Sequence, residues 1–238
     1  MSNLKRHGRL RWTPSYLRNQ GQLTKRQKRT LRNNWEDFGI VFEHGELIDL
    51  DAEFERGGPI LIEIGFGMGD HLIHLAKSHP THRILGIEIH RPGLATTTGK
   101  LHSENIENVR LIRGDARLVL TDHLPPRISD AVLIQFPEPW SQKGKTRRRL
   151  IQPEMLNLLH RSLVPGGECL VTTDMSDYAE HCAQLFDASS QWEKVEHSPF
   201  QSSRILTRYE EKALAEGRSI TDLCYRTQVG NLISISPT

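Results

Sequence analysis

Three acidic side chains and three glycines are spaced along this chain as a nucleoside-binding site would need them. Residues 60–64 form a short apolar run containing Glu63 that leads directly into Gly65, Gly67 and Gly69. Glycines here let the backbone approach a ligand and adopt positive φ, while a following helix would turn its unpaired N–H groups toward that ligand. The spacing is not the dinucleotide fingerprint G-x-G-x-x-G, because the third glycine comes one residue early and Asp70 holds the later position. Alone, the turn serves equally well as an ordinary βα loop. Glu88 lies near the end of the next apolar run, 84–89, where a carboxylate can accept hydrogen bonds from ribose hydroxyls. Asp115 follows the run 109–112 and Gly114, in reach of an adenine amino group, although by itself it would also cap a helix. All three acids fall at the carboxyl ends of successive strands, where open α/β sheets bind ligands.

The fourth run, 131–136, ends in Pro137-Glu138-Pro139-Trp140. Each proline fixes its own φ and restricts the residue before it, so Glu138 is carried on a stiff backbone beyond the sheet. The alternative is a turn that only packs Trp140 against the core. Lys143, Lys145, Arg147, Arg148 and Arg149 follow, placed to grip phosphates beside a reaction centre. A solvated helix start is the ordinary reading of such a run, but cations are poorly placed at a helix N-terminus. Trp140 offers a surface on which a base could stack.

Positioning these residues requires alternating strands and helices. Strand-like runs at 60–64, 84–89, 109–112, 131–136 and 168–172 are separated by helical stretches, which predicts parallel βαβ units in an α/β fold. Ile151, Met155, Leu158 and Leu159 make one helical core stripe that stops before Pro165-Gly166-Gly167, and 177–188 makes another. Residues 192–197 and 223–228 read as two strands paired at one edge. The expected organisation is a basic arm with a short helical lead-in over 1–54 and one doubly wound domain over 55–238.

The chain has 238 residues, 37% of them hydrophobic, and a mean hydropathy of −0.50. No run approaches a membrane span, and the basic N-terminus has no apolar signal region, so a cytoplasmic protein is expected. Cys169, Cys182 and Cys224 lack the spacing of a disulfide framework or zinc site. His71 and His74 have helical spacing without a ligand set, and are read as solvated; no metal is expected. The net charge of +2 hides an asymmetry: residues 1–35 hold ten Lys or Arg and no acid, leaving 21 basic against 29 acidic residues elsewhere. Such an arm suits a polyanion, with Trp12 and Tyr16 available to stack on bases or to pack, though a solubilising tail has the same composition.

The turn with Glu63 resembles motif I of the Rossmann-like S-adenosylmethionine (SAM) methyltransferases. Together with Gly86-Ile87-Glu88-Ile89-His90, Phe136-Pro137-Glu138-Pro139-Trp140, Thr173-Asp174, Tyr178-Ala179-Glu180-His181 and Thr207-Arg208-Tyr209-Glu210, it makes the chain similar over most of its length to the bacterial tRNA (guanine-N7)-methyltransferase family. The resemblance implies a class I methyltransferase fold, a mostly parallel seven-stranded sheet with helices on both faces, and SAM-dependent methylation of a guanosine in the tRNA variable loop. It implies cofactor-binding roles for Glu63, Gly65, Gly67, Gly69, Glu88, Asp115, Ala116 and Glu138, with Glu138 also catalytic. It implies substrate contacts from Gln142, Asp174, Thr207, Arg208, Tyr209 and Glu210. The expected partner is tRNA, with no membrane, and the protein a monomer or homodimer. Two departures stand out: Glu138 replaces the family's aspartate, and Ser141-Gln142 and Gly144-Lys145 replace its His-Lys and Arg-His. These bear on rate or acceptor identity more than on cofactor binding. A methyltransferase acting on another RNA or a small molecule, or a catalytically weak tRNA-binding paralogue, are the competing readings.

Overall fold

The computed structural model describes residues 13–16, 22–43, 45–142, 144–201, 205 and 208–228. Among these, seven strands, β1 (Ile60–Ile64), β2 (Arg83–Glu88), β3 (Val109–Arg113), β4 (Ser129–Gln135), β5 (Leu163–Thr173), β6 (Trp192–Lys194) and β7 (Thr221–Thr227), form one sheet in the order β3-β2-β1-β4-β5-β7-β6. The first five are parallel; β7 runs antiparallel between β5 and β6. The expected seven-stranded, mostly parallel sheet is therefore present, with the last two strands paired at its edge. The chain builds outward from β1 to β3 and then returns to place β4 on the other side of β1. This reversal leaves a crevice beyond the carboxyl ends of β1 and β4, the usual ligand position in such sheets.

Strands covered on both faces read as continuous apolar runs, and β1 is buried at all five positions. Alternation sends Ile60, Ile62 and Ile64 into one core and Leu61 into the other. The first core lies under α2 (Leu50–Phe54), α5 (Ala116–Leu118), α6 (Pro153–Ser162) and α7 (Ser176–Asp187), with Leu50, Phe54, Met155, Leu159, Tyr178 and Phe186 among its members. The second lies under α1 (Lys25–Phe38), α3 (Asp70–Ser78) and α4 (Arg91–Ser103), packing Phe38, Leu72, Leu75, Leu94 and Leu101. A final helix, α8 (Arg208–Ala215), precedes β7.

The basic stretch that composition alone left open contains α1. A capping box of Thr24 and Gln27 starts this helix, Leu31, Trp35 and Phe38 pack it on the second core, and Asn34 donates to the Thr98 carbonyl of α4. Lys25, Arg26, Lys28, Arg29 and Arg32 remain exposed. Immediately afterwards Gly39 bridges to Leu111, and the Ile40 N–H donates to the Leu111 carbonyl at 2.9 Å, so the chain lies along the outer edge of β3. At the other side of the sheet β5 starts earlier than its apolar run suggests. Leu163 already pairs with Ser129, and the register shifts before Ala131 pairs with Glu168, which lets the strand absorb Pro165-Gly166-Gly167 as an irregularity.

Candidate active site

The carboxyl ends of β3, β2, β1, β4 and β5 carry Asp115, Glu88, Glu63, Glu138 and Asp174 in that spatial order. Sequence gives the chain order of these acids; the sheet places them side by side along one edge. Between the first strand and α3, Gly65 and Gly67 take φ values of +77° and +56°, and nothing lies within 4 Å of the Cβ each lacks. That is an open cradle of backbone. Gly69 is different: a Cβ there would meet Thr97 Oγ1 at 2.3 Å, so this glycine allows α3 to pack on α4.

Glu88 reaches into the cradle. Its Oε2 accepts from the Gly67 N–H at 2.9 Å, and its Oε1 accepts from Ile89 and His90 N–H at 2.6 and 2.7 Å. Burial pushes the carboxyl above its ordinary pKa, opposed by these three donors. Asp115 caps α5 by accepting from the Arg117 N–H through Oδ1, while Oδ2 is buried without a hydrogen-bond partner among the described residues. Its carboxyl is likewise raised by burial, offset by the nearby Arg117 guanidinium. Ala116, the next residue, is buried. A fixed carboxylate, an unsatisfied buried carboxylate oxygen and an open glycine cradle on adjacent strands fit a nucleoside, which offers ribose hydroxyls and an exocyclic amine as donors.

After β4 the backbone is strained. Phe136 and Trp140 have φ of +46° and +45°, and they bracket the Pro137-Glu138-Pro139 stretch. Left-handed conformations in bulky residues cost of order 1–3 kcal/mol each and persist only where surrounding contacts hold them. Here the Phe136 N–H donates to the Thr172 carbonyl at 2.8 Å, and Arg149 Nε donates to the Pro139 carbonyl at 2.9 Å. Glu138 is exposed at the crest of this held loop.

The arginines around this loop act differently from the phosphate grip that their composition suggests. Arg149 is 4% exposed; it pairs with Asp177 at 2.5 Å and lies over the Tyr178 ring. Arg148 sits 3.6 Å from the Trp140 ring centroid and donates to the carbonyls of Pro14 and Tyr16, while Trp140 Nε1 donates to the Ser15 carbonyl. Trp140 is thus taken up by a guanidinium and by residues 14–16, not presented as a bare stacking surface. The 3₁₀ turn at Thr146–Arg148 parts Arg147 from Arg148, and Arg149 leaves it on extended backbone (φ −51°, ψ 139°). Arg147 alone of the three is exposed.

His71 also differs from expectation. It is 3% exposed rather than solvated, because Glu63 shares the face of β1 that α3 covers; its Nδ1 lies 3.1 Å from Glu63 Oε2. His74, one turn on, is partly buried. Among the substrate-side candidates, Asp174 pairs with Arg218 Nε at 3.2 Å, which draws the turn after α8 to the end of β5. Arg218 carried no motif that would have marked it. Glu210 is buried in α8, and Gln142 is exposed and accepts from Lys145 Nζ. Thr207, Lys143, Trp12 and the side chains of Arg208 and Tyr209 lie outside the described residues.

All three cysteines are buried, and burial pushes Cys182 to about 12 and Cys224 to about 11, which disfavours the thiolate form. Among the described residues no group of three His, Cys, Asp or Glu side chains could hold a metal ion, and no helix is long and apolar enough to cross a membrane.

Comparison with known proteins agrees with this geometry. Residues 57–223 match the family described as "Putative methyltransferase". The tRNA (guanine-N(7)-)-methyltransferase of Halorhodospira halophila is 36% identical over 91% of this chain and 95% of its own length; that of Alkalilimnicola ehrlichii is 37% identical over 89% and 91%. Among solved structures, the 16S rRNA methyltransferase KamB superposes with a TM-score of 0.56 at 14% identity, covering 79% of this chain and 96% of that one, which speaks for the fold. The chain belongs to the tRNA (guanine-N(7)-)-methyltransferase family.

Proposed function

We propose that this protein transfers the methyl group of SAM to N7 of a guanosine in tRNA, the variable loop being the acceptor region. The observation that carries the reading is the row of Asp115, Glu88, Glu63 and Glu138 along four adjacent strand ends, with the open backbone of Gly65 and Gly67 in its middle. Glu88 would hold the ribose hydroxyls, Asp115 with Ala116 the adenine, and the Gly65 and Gly67 backbone the span between them. When bound, SAM supplies an electrophilic methyl group on a sulfonium. Guanine N7 carries an in-plane lone pair and no proton, so the protein needs no general base. Its work is positioning. Glu138 stands on a loop held at both ends, between cofactor strands and the Asp174 side, and stabilises the positive charge that the purine acquires. Asp174, kept in place by Arg218, with Gln142 and the 207–210 segment, would hold the acceptor nucleotide.

The helix α1 supports a polyanionic substrate. Lys25, Arg26 and Lys28 occupy its first turn, with no acid there, where each cation opposes the helix dipole by about 0.3–1 kcal/mol. Charge kept at that cost, exposed and facing away from the core, suits phosphates. Nucleoside mass spectrometry of tRNA incubated with the protein and SAM bearing a labelled methyl group tests the reading. Labelled 7-methylguanosine is expected; label on another base or on no nucleoside overturns it.

A further inference from the structure

We propose that His71 is a positioning residue for Glu63, and that a water bound in the cavity beyond its ring ties it to Gln135 at the root of the 136–140 loop. The inference rests on the cofactor reading above. Glu63 is 2% exposed and its Oε2 lies 3.1 Å from His71 Nδ1, off the line of a hydrogen bond, so the imidazole packs against one side of this carboxylate as its close ion-pair partner. The other ring nitrogen, Nε2, is buried and has no hydrogen-bond partner among the described residues. His71 borders a cavity of about 10 Å³ walled by Leu133, Leu170, Phe200 and Leu223, with Gln135 and Thr172 among its polar neighbours. That is room for one water, which needs two to four polar partners to stay. Gln135 Oε1 is likewise buried without a hydrogen-bond partner among the described residues, and the Thr172 hydroxyl is spent on Asp222 Oδ1 at 2.7 Å, which leaves Gln135 as the acceptor for such a water. With the ring proton on Nδ1, toward Glu63, a water can donate one hydrogen to Nε2 and the other to Gln135 Oε1. That arrangement satisfies two orphaned buried atoms at once.

Gln135 ends β4 and immediately precedes strained Phe136, so the relay links the carboxylate beside the glycine cradle to the loop that carries Glu138. Binding of the cofactor and placement of the acceptor loop would share this buried connection.

The test compares H71N, H71Q, H71L and Q135L. The Asn amide replaces Nδ1, the Gln amide reaches the Nε2 position, and Leu replaces neither. Titration with S-adenosylhomocysteine should show H71N within about threefold of the unaltered protein and H71L weaker by about tenfold or more, with H71Q weaker than H71N. For H71L the KM for SAM should rise more than kcat falls. Q135L should bind S-adenosylhomocysteine normally but lose turnover. If H71L fails to fold, the ranking of H71N over H71Q carries the test. Equal binding by H71N and H71Q, or normal binding by H71L, overturns the role of His71. A second arm needs no cofactor: the ¹⁵N resonances of the His71 ring in the free protein should shift in Q135L, and unchanged resonances overturn the water link. If the unaltered protein binds no S-adenosylhomocysteine, the cofactor reading fails, and the ring resonances still decide this one.

Discussion

Arg149 offers the sharpest test of how the 136–140 loop is held. In R149M the aliphatic stem remains to pack, but the guanidinium and its bonds are gone. The bond to the Pro139 carbonyl is a charge-assisted one, worth about 1.5–3 kcal/mol. The interaction with Tyr178, with the guanidinium 4.8 Å from the ring centroid, adds about 1 kcal/mol. The Asp177 carboxylate is half exposed and regains water when its partner is removed, so that pair adds less than about 1 kcal/mol. The total is about 2.5–5 kcal/mol, or a fall in Tm of roughly 5–20 °C for a chain of this size. Thermal melting of the free protein followed by circular dichroism would measure it, with R149K falling between because a lysine keeps charge without the fork. A Tm within about 2 °C of the unaltered protein would refute the reasoning, showing that desolvating the guanidinium cancels its bonds.

Three more outcomes are expected. Glu88 has its folded pKa raised by burial, so its contribution to the stability of the free protein is full below the unfolded value and is lost as pH rises through the folded one. SAM binding, which favours the ionised carboxylate as acceptor, should strengthen across that same window, seen as a growing ligand-induced Tm shift; E88Q should abolish the pH trend, and a trend that survives would remove Glu88 from the site. Reversing Lys28 and Arg32 to Glu should weaken tRNA binding in filter assays and reduce the salt slope by about one for each phosphate no longer neutralised, with SAM affinity unchanged. E138A should lower single-turnover rates on tRNA by about a hundredfold or more while sparing SAM binding, with E138D far better tolerated; equal rates in all three would place catalysis elsewhere.

Which parts of this site could be read in advance follows from how strands and helices encode direction. Parallel strands covered on both faces leave unbroken apolar runs, so 60–64, 84–89 and 109–112 announced themselves, and the acids at their ends could be placed at one edge of a sheet. Helical positions are harder. His71 and His74 share one spacing, yet only His71 faces the sheet, and that depends on Glu63 pointing from β1 toward α3. The arginine run 147–149 carries no direction at all in its composition; the short 3₁₀ turn sends Arg148 toward residues 14–16, and the extended backbone just after it turns Arg149 inward to Asp177. Arg218 escaped notice because its partner, Asp174, is far off in sequence and close only once β7 inserts beside β5.

The backbone bridge from Gly39 and Ile40 to Leu111 has a bearing on solubility. The bridge occupies the middle of the marginal strand β3 at Leu111, and without it the strand's outer edge would be an uninterrupted template on which a second chain can add a strand. The opposite margin, β6, is three residues long and carries exposed Glu193 and Lys194, which discourages such growth. Shortening the chain past residue 40 would strip the guard from one margin only, and the expected result is not a smaller enzyme but one that self-associates through β3.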